Sequence, residues 1–418
     1  MPKLFKIQFG LLFLSFSIFI NSCGSGPEVH AVVVQKPISS IQLFLDNSES
    51  NMGYMNGPTK YKATVDELIA DLASQKTTNG TKFNYISDSV YRLNLTDKQF
   101  IDVVSNNKIK PTKCSEMHQM MDMLTSKLDS FDIGILISDC ILSYCDVEGN
   151  PNKNKDNAES QLKTSVKTAF RKLRDAGTCA SVYAFKSAFT GRYFHYDNTP
   201  EQYSGEIRPF YIWFIGRKEQ LSRLNLDLSN NSSFKPEAQL HFGFDSNPVN
   251  SFDLFFSTGK KGDYKINAKE INDIEIKPQK PIDFVMGVNL EKLPPYAQKT
   301  DYLKNNFTSN FAHLKLMDVV LKKDFQLKDQ NNREKEMKEN DTHFFYFEVD
   351  DLIKTTPAEI AIENKTDNWY ENWSTMDDKN KQSNKEKTFA LVHLINGINE
   401  AYEVKNNPFL KITLLLKK

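Results

Sequence analysis

Residues 43–57 read LFLDNSESNMGYMNG. A run of strand formers stops on Asp46, two serines follow at a spacing of two, Ser48 and Ser50, and a glycine-containing turn closes the stretch. A carboxylate and two hydroxyls at the end of an apolar strand can all reach one point. That is a donor set for a hard cation, and it is also what caps an ordinary turn or helix. The rest of the chain decides between the two.

From about residue 38 to 220 the sequence alternates strand and helix patterns. SSIQLFLD and DIGILISD are almost uninterruptedly apolar, as strands buried on both faces must be, and both end on aspartate, Asp46 and Asp139. Between them, TKYKATVDELIADLAS carries Val65, Leu68, Ile69 and Leu72 at helical spacing, KFNYISDSVYRL reads as a strand, and SEMHQMMDMLTSKL places Met117, Met120, Met121, Leu124 and Leu128 on one helical face. Then come AESQLKTSVKTAFRKLRDAG, an amphipathic helix stopped by Gly177, the strands CASVYAFKSAF and RPFYIWFIG, and RKEQLSRL as a short closing helix. The pattern predicts an α/β fold over residues 38–225, a Rossmann-like and mainly parallel sheet with helices on both faces. Ligands of such sheets sit beyond the carboxyl ends of the strands, where Asp46 and Asp139 stand.

Asp46-x-Ser48-x-Ser50 resembles the DxSxS motif of the von Willebrand factor A (vWA) domain family. The resemblance covers about residues 40–215. It implies a metal-ion-dependent adhesion site built from the strand-end aspartate and two hydroxyls, a threonine from a loop opening a later helix, and an aspartate ending the fourth strand. ILISDC supplies the last through Asp139, with Cys140 where the family usually has glycine. CSEMHQMMDML offers Ser115 for the helix-opening ligand, with Thr112 as the neighbouring alternative, and Met52 stands one place later than the family's methionine. The implied ligand set is Asp46, Ser48, Ser50, Ser115 and Asp139. The ion is Mg²⁺, or Mn²⁺ or Ca²⁺, and the partner is a protein that offers an Asp or Glu carboxylate to an open coordination position. Few formal charges around the ion keep it electrophilic enough to recruit such an anion.

The second half, residues 230–418, changes texture. QLHFGF, FDLFFST, DYKINA, DIEIKP, PIDFVMGVNL, HLKLMDVVLKKDF and HFFYFEV are strand-like and separated by Pro, Gly, Asn and Asp loops. They predict a β-rich domain, sandwich-like or mixed, with a late helix in NKEKTFALVHLINGINEAYE and a closing strand in PFLKITLLLKK. Trp369, Tyr370 and Trp373 in DNWYENW could serve as a sugar-stacking platform, although such clusters more often pack a loop.

The N-terminus, MPKLFKIQFGLLFLSFSIFINSC, has two lysines, an apolar run short for a membrane span, and Ser22 directly before Cys23. It resembles a bacterial lipobox. Residues 1–22 are then a lipoprotein signal peptide, Cys23 is the lipidated residue, and 23–37 is a tether. The implied location is the bacterial cell envelope, lipid-anchored, facing the periplasm or the outer surface. Of the other cysteines, Cys114, Cys140, Cys145 and Cys179 are even in number, which permits disulfides outside the cytoplasm without fixing a pairing; buried thiols read equally well.

Lysine plus arginine equals aspartate plus glutamate at 53 each, and the signs are interspersed, which argues against a nucleic-acid partner. The enzyme patterns fail on residue type. A phosphatase of the DxD kind wants a carboxylate where Ser48 stands, and no GxSxG, P-loop or GxGxxG pattern occurs. The expectation is therefore a binding or scaffold protein rather than an enzyme. Its alternatives are a glycan-binding lipoprotein using the Trp-Tyr-Trp cluster and, behind it, a metal-assisted hydrolase.

Overall fold

The computed structural model describes residues 38–418 apart from 75–79, 113–115, 142–154, 196–198, 231–232, 245–246, 330, 366–367, 381–383 and 404–406; of 155–159 and 161 only the backbone is described. These residues belong to one compact unit, Lys36–Lys418. Its first layer is a seven-stranded sheet with strands β1 (Ile41–Asp46), β2 (Thr81–Ile86), β3 (Val90–Leu93), β4 (Ile133–Ser138), β5 (Thr178–Phe194), β6 (Pro200–Arg217) and β7 (Ala238–Phe242), in the spatial order β3-β2-β1-β4-β6-β5-β7.

The α/β class expected from the alternation is present, but the mainly parallel sheet is not. Only β1 with β2 and β1 with β4 pair parallel; the remaining neighbours are antiparallel. The physical reason lies in the connections. A parallel pair needs a crossover of a dozen or more residues, and the segment joining β5 to β6 is too short for one, so the two fold back as a long hairpin. KFNYISDSVYRL likewise divides into β2 and β3, which fold back on each other with Ile86 opposite Val90.

Helices cover both faces, as the periodicity requires. Helix α1 (Lys60–Ser74), α2 (Asp97–Ser105) and α5 (Lys218–Asn230) send Val65, Leu68, Phe100, Val104, Leu221 and Leu224 into one core, against Leu43, Leu45, Ile135 and Ile137. Helix α3 (Met117–Ser126) and α4 (Lys155–Asp175) line the other, where Met120, Met121, Val166 and Phe170 meet Phe44 and Leu136. Successive β1 residues thus serve opposite cores, as the two-residue period of a strand demands. Each fully buried side chain of this kind contributes about 2 kcal/mol.

The second half of the chain contributes to this layer as well. Strand β7 forms its edge, and the helix Leu391–Tyr402 lays Leu394, Ile395 and Ile398 on the α4 side. Gly397 allows that approach, since a Cβ there would stand 2.7 Å from the Lys163 carbonyl. Two further sheets form a sandwich. One sheet runs Phe307–Ser309, Thr356–Ile362, Leu410–Leu416, Glu270–Glu275, Asp263–Asn267; the other runs Leu314–Leu321, His343–Val349, Ile282–Val288, Asp253–Phe255. Ile360, Ile412 and Leu414 of the first share a core with Phe284, Phe345 and Phe347 of the second. Alternate burial along Leu410–Leu416 matches its one apolar face.

Candidate functional site

Strand β1 lies between β2 and β4; α1, which follows β1, and α3, which leads into β4, pack on opposite faces of the sheet. The carboxyl ends of β1 and β4 therefore meet at a topological switch point, the place where open α/β sheets hold ligands. The register pairs Leu45 with Ile137, which sets Asp46 beside Ser138 and close to Asp139.

The DxSxS stretch folds as a tight loop on this end of the sheet. The Ser48 N–H donates to Asp46 Oδ1 at 2.9 Å, the Ser48 and Ser50 hydroxyls lie 3.0 Å apart, and residues Glu49–Met55 continue as a 3-10 helix. Asn51 donates to the Asp46 carbonyl at 2.7 Å and to the Tyr61 hydroxyl at 2.9 Å, tying the loop to α1. Gly53 is needed where the loop meets the β5–β6 hairpin, because a Cβ would fall 2.2 Å from the Phe189 ring. From the end of β4 the Ser138 hydroxyl donates to Asp46 Oδ2 at 2.7 Å, and the Ile141 N–H donates to Asp139 Oδ1 at 3.0 Å.

Asp46, Ser48, Ser50 and Asp139 are thus brought together, at 0%, 2%, 6% and 2% exposure. Burial and the neighbouring Asp46 charge push Asp139 up to about 7, against the pull of the Ile141 N–H, the Ser50 hydroxyl and the Arg208 guanidinium. Asp139 Oδ2 is buried with no hydrogen-bond partner among the described residues. Two buried carboxylates that repel one another, one oxygen unsatisfied, with hydroxyls alongside, are a donor set that fits a hard divalent cation. Among the described residues no group of three or more His, Cys, Asp or Glu gathers around a point; a set of two carboxylates plus hydroxyls falls outside that description.

For the helix-opening ligand, Ser115 lies outside the described residues, as do Cys114 and Cys145. Thr112, the alternative, stands against the loop. It forms a parallel bridge with Ser48, exchanges backbone bonds with Asn47 and Glu49 at 2.9 Å, and points its hydroxyl at the Asn47 carbonyl, 3.4 Å away. Cys140 has φ +53°, the left-handed region that favours glycine. Its thiol accepts from Trp213 Nε1 at 3.2 Å and is pushed up by burial, so it is packed and unreactive. Cys179 lies in the other core, its thiol 3.3 Å from the Gly243 carbonyl, and no disulfide joins it to Cys140. Lipidation at Cys23 likewise concerns a residue outside those described.

Several residues at the site were not singled out from the sequence. Ser138 had a signal, since it immediately precedes the strand-end aspartate and two parallel neighbours share a register. Arg208 had none. It is 2% exposed, donates to the Asn384 carbonyl at 2.8 Å and to the Tyr193 hydroxyl at 3.0 Å, and lies over the Tyr193 ring. Asn384 comes from a segment 176 residues further on, so only the folded chain reveals this pairing.

The aromatic cluster is placed differently from a sugar platform. Trp369 and Tyr370 are buried in the core under β6, Trp369 Nε1 donates to the Gln239 carbonyl at 3.1 Å, and Lys186 sits over the partly buried Trp373 ring. These rings anchor the short helix Trp369–Asn372 to the first sheet. No helix among the described residues is long and apolar enough to cross a membrane. Compared with known proteins, the chain matches no family model and no curated protein.

Proposed function

We propose that this chain is a lipid-anchored envelope protein whose vWA-like layer holds a divalent cation of the Mg²⁺ kind and binds a protein partner through it. The observation that carries the reading is the convergence of Asp46 and Asp139 at the switch point, with Ser48 and Ser50 beside them and Asp139 Oδ2 unsatisfied. The left-handed Cys140, at the position where the resemblance expects glycine, agrees with it.

Asp46 and Asp139 would hold the ion with Ser48, Ser50 and a third hydroxyl, Ser115 or Thr112. When bound, the ion supplies a strong, localised positive charge. Ser138 keeps the Asp46 carboxylate in place, and Asn51 fixes the loop that presents the serines. The partner's Asp or Glu completes the shell, so recognition is electrostatic and depends on metal. Since the ligands are buried, ion binding also relieves the repulsion between two carboxylates and is linked to stability.

Calorimetric titration with Mg²⁺ and Mn²⁺, on the wild type and on Asp46→Ala, tests the site. Saturable binding that disappears in the variant supports it; absence of binding by folded protein removes it. Capture of a partner that is lost on chelation then tests the adhesion role separately. The interaction role is favoured over glycan binding at Trp369 and Tyr370 because those rings are buried.

A further inference from the structure

The edge of the sandwich carries a second pair of carboxylates. Strand Asp253–Phe255 is the last of its sheet, beside Ile282–Val288, and Asp253 stands opposite Gly287. Phe252 and Leu254 point into the sandwich core, whereas Phe255 and Val285 belong to a smaller cluster on the outer face. The two-residue period therefore puts Ser251, Asp253 and Gly287 on that outer face too.

Gly287 leaves a gap there, and Asp341 fills it. A Cβ built on Gly287 would stand 2.0 Å from Asp341 Oδ2 and 2.9 Å from the Phe255 ring. Cβ atoms of directly opposed strand residues are about 5 Å apart, so the Asp253 side chain is the immediate neighbour of that carboxylate. Asp341 is 5% exposed, and its Oδ2 is buried with no hydrogen-bond partner among the described residues. Burial and the Asp253 charge both oppose its ionisation. Lys322, the cation that acts on it, is already held by the Glu339 carboxylate at 2.7 Å and carbonyl at 2.8 Å. Asp253 is only partly buried, which leaves the pair a route to water.

We propose that Asp253 and Asp341 hold a divalent cation of the Ca²⁺ kind, with water and the exposed Ser251 hydroxyl filling the shell. Asp341 Oδ2 gains the partner it lacks, and the repulsion between the carboxylates becomes attraction to one ion. Ca²⁺ accepts oxygens in flexible geometry, which suits donors fixed separately by a strand and a turn; Mg²⁺ demands a near-ideal octahedron. The ion also closes a clasp. Glu334, in the first turn of the helix Asn332–Asn340, holds Ser257 and Thr258 just after the edge strand, and Asp341 follows the helix end. A cation on Asp341 and Asp253 ties the same helix to the start of that strand. This pair is separate from Asp46 and Asp139 and does not depend on the reading of that site.

Equilibrium dialysis and calorimetry with Ca²⁺ on the intact chain test the clasp in wild type, Asp253→Asn, Asp341→Asn and Asp46→Ala. Asp253→Asn and Asp341→Asn are each expected to weaken one bound Ca²⁺ tenfold or more, and Asp46→Ala is expected to retain that ion. Asp253 is only partly buried, so Asp253→Asn keeps the test usable if Asp341→Asn does not fold. The proposal is overturned if wild type binds no Ca²⁺, which would leave a carboxyl pair sharing a proton. It is also overturned if binding survives both asparagine substitutions, or if Asp46→Ala alone abolishes all Ca²⁺ binding. The site at Asp46 fails separately, if Asp46→Ala binds as many ions as wild type in both Ca²⁺ and Mg²⁺.

Discussion

Asp139→Asn separates the two halves of the metal reading in one experiment. Without an ion, Asp139 is a buried carboxyl held near pKa 7 by its burial and by Asp46, against an ordinary 3.8. A carboxyl raised on folding keeps its proton in the native state while the unfolded chain gives it up. Native stability is therefore fully present below about pH 4, falls as pH rises toward about 7, and is flat beyond. The shift of roughly three pH units at about 1.4 kcal/mol each sets an upper limit near 4 kcal/mol; with relaxation, about 2 kcal/mol is a reasonable expectation. The amide is nearly isosteric and can still accept from the Ile141 N–H. In chelator at pH 7.5, Asp139→Asn should unfold in urea at a higher midpoint than wild type, with a shallower loss of stability between pH 4 and 7. In Mg²⁺ at a hundred times the dissociation constant the order should reverse, because wild type gains about 2.7 kcal/mol and the variant does not. A variant less stable than wild type in chelator would refute the repulsion between Asp46 and Asp139. Equal stabilisation of both proteins by Mg²⁺ would place the ion elsewhere.

Three further outcomes follow from other parts of the fold. Asp341 is pushed up to about 8 by burial and by the Asp253 charge, so it costs stability as pH rises from about 4 to about 8; Asp341→Asn should flatten that part of the urea-midpoint profile, and an unchanged slope would count against it. Glu334 is fully buried and accepts from the backbone N–H and hydroxyl of Ser257 and from the Thr258 hydroxyl at 2.7–2.8 Å, so Glu334→Ala should cost about 3 kcal/mol by denaturant unfolding; a loss below about 1 kcal/mol would show that the contacts are worth little. Gly53→Ala drives a methyl into the Phe189 ring and should cost about 2 kcal/mol, part of it recovered by Phe189→Leu in the same chain; additive losses would deny that contact.

How much was legible in the sequence varies by element. Helices α1, α3 and α4 were readable because their apolar faces recur at helical spacing, and β1 and β4 because a strand buried on both faces has no polar alternation. Helix α2 was passed over although it announces itself. Thr96 and Gln99 form a capping box, the hydroxyl accepting from the Gln99 N–H and the Gln99 side chain accepting from the Thr96 N–H. The helix Asn332–Asn340 gave less to read, with one apolar residue, Met337, in a run of charges, and its role depends on Glu334 reaching Ser257 and Thr258.

The amino-acid sequence by itself determined the class of the first layer, the strand-ending aspartates and the hydroxyls beside one of them, because periodicity and residue type are local properties. Sheet direction was decided by chain geometry, since β5 and β6 are joined by a segment too short to cross over. Only tertiary structure brought Ser138 to Asp46, raised Asp139 through a charge 93 residues away in sequence, and closed the Asn225–Ser181–His241–Gln239 chain across three elements. The reason is the same in each case. Burial and proximity set the energy of a polar group, and for groups far apart in sequence both exist only once the sheet has formed.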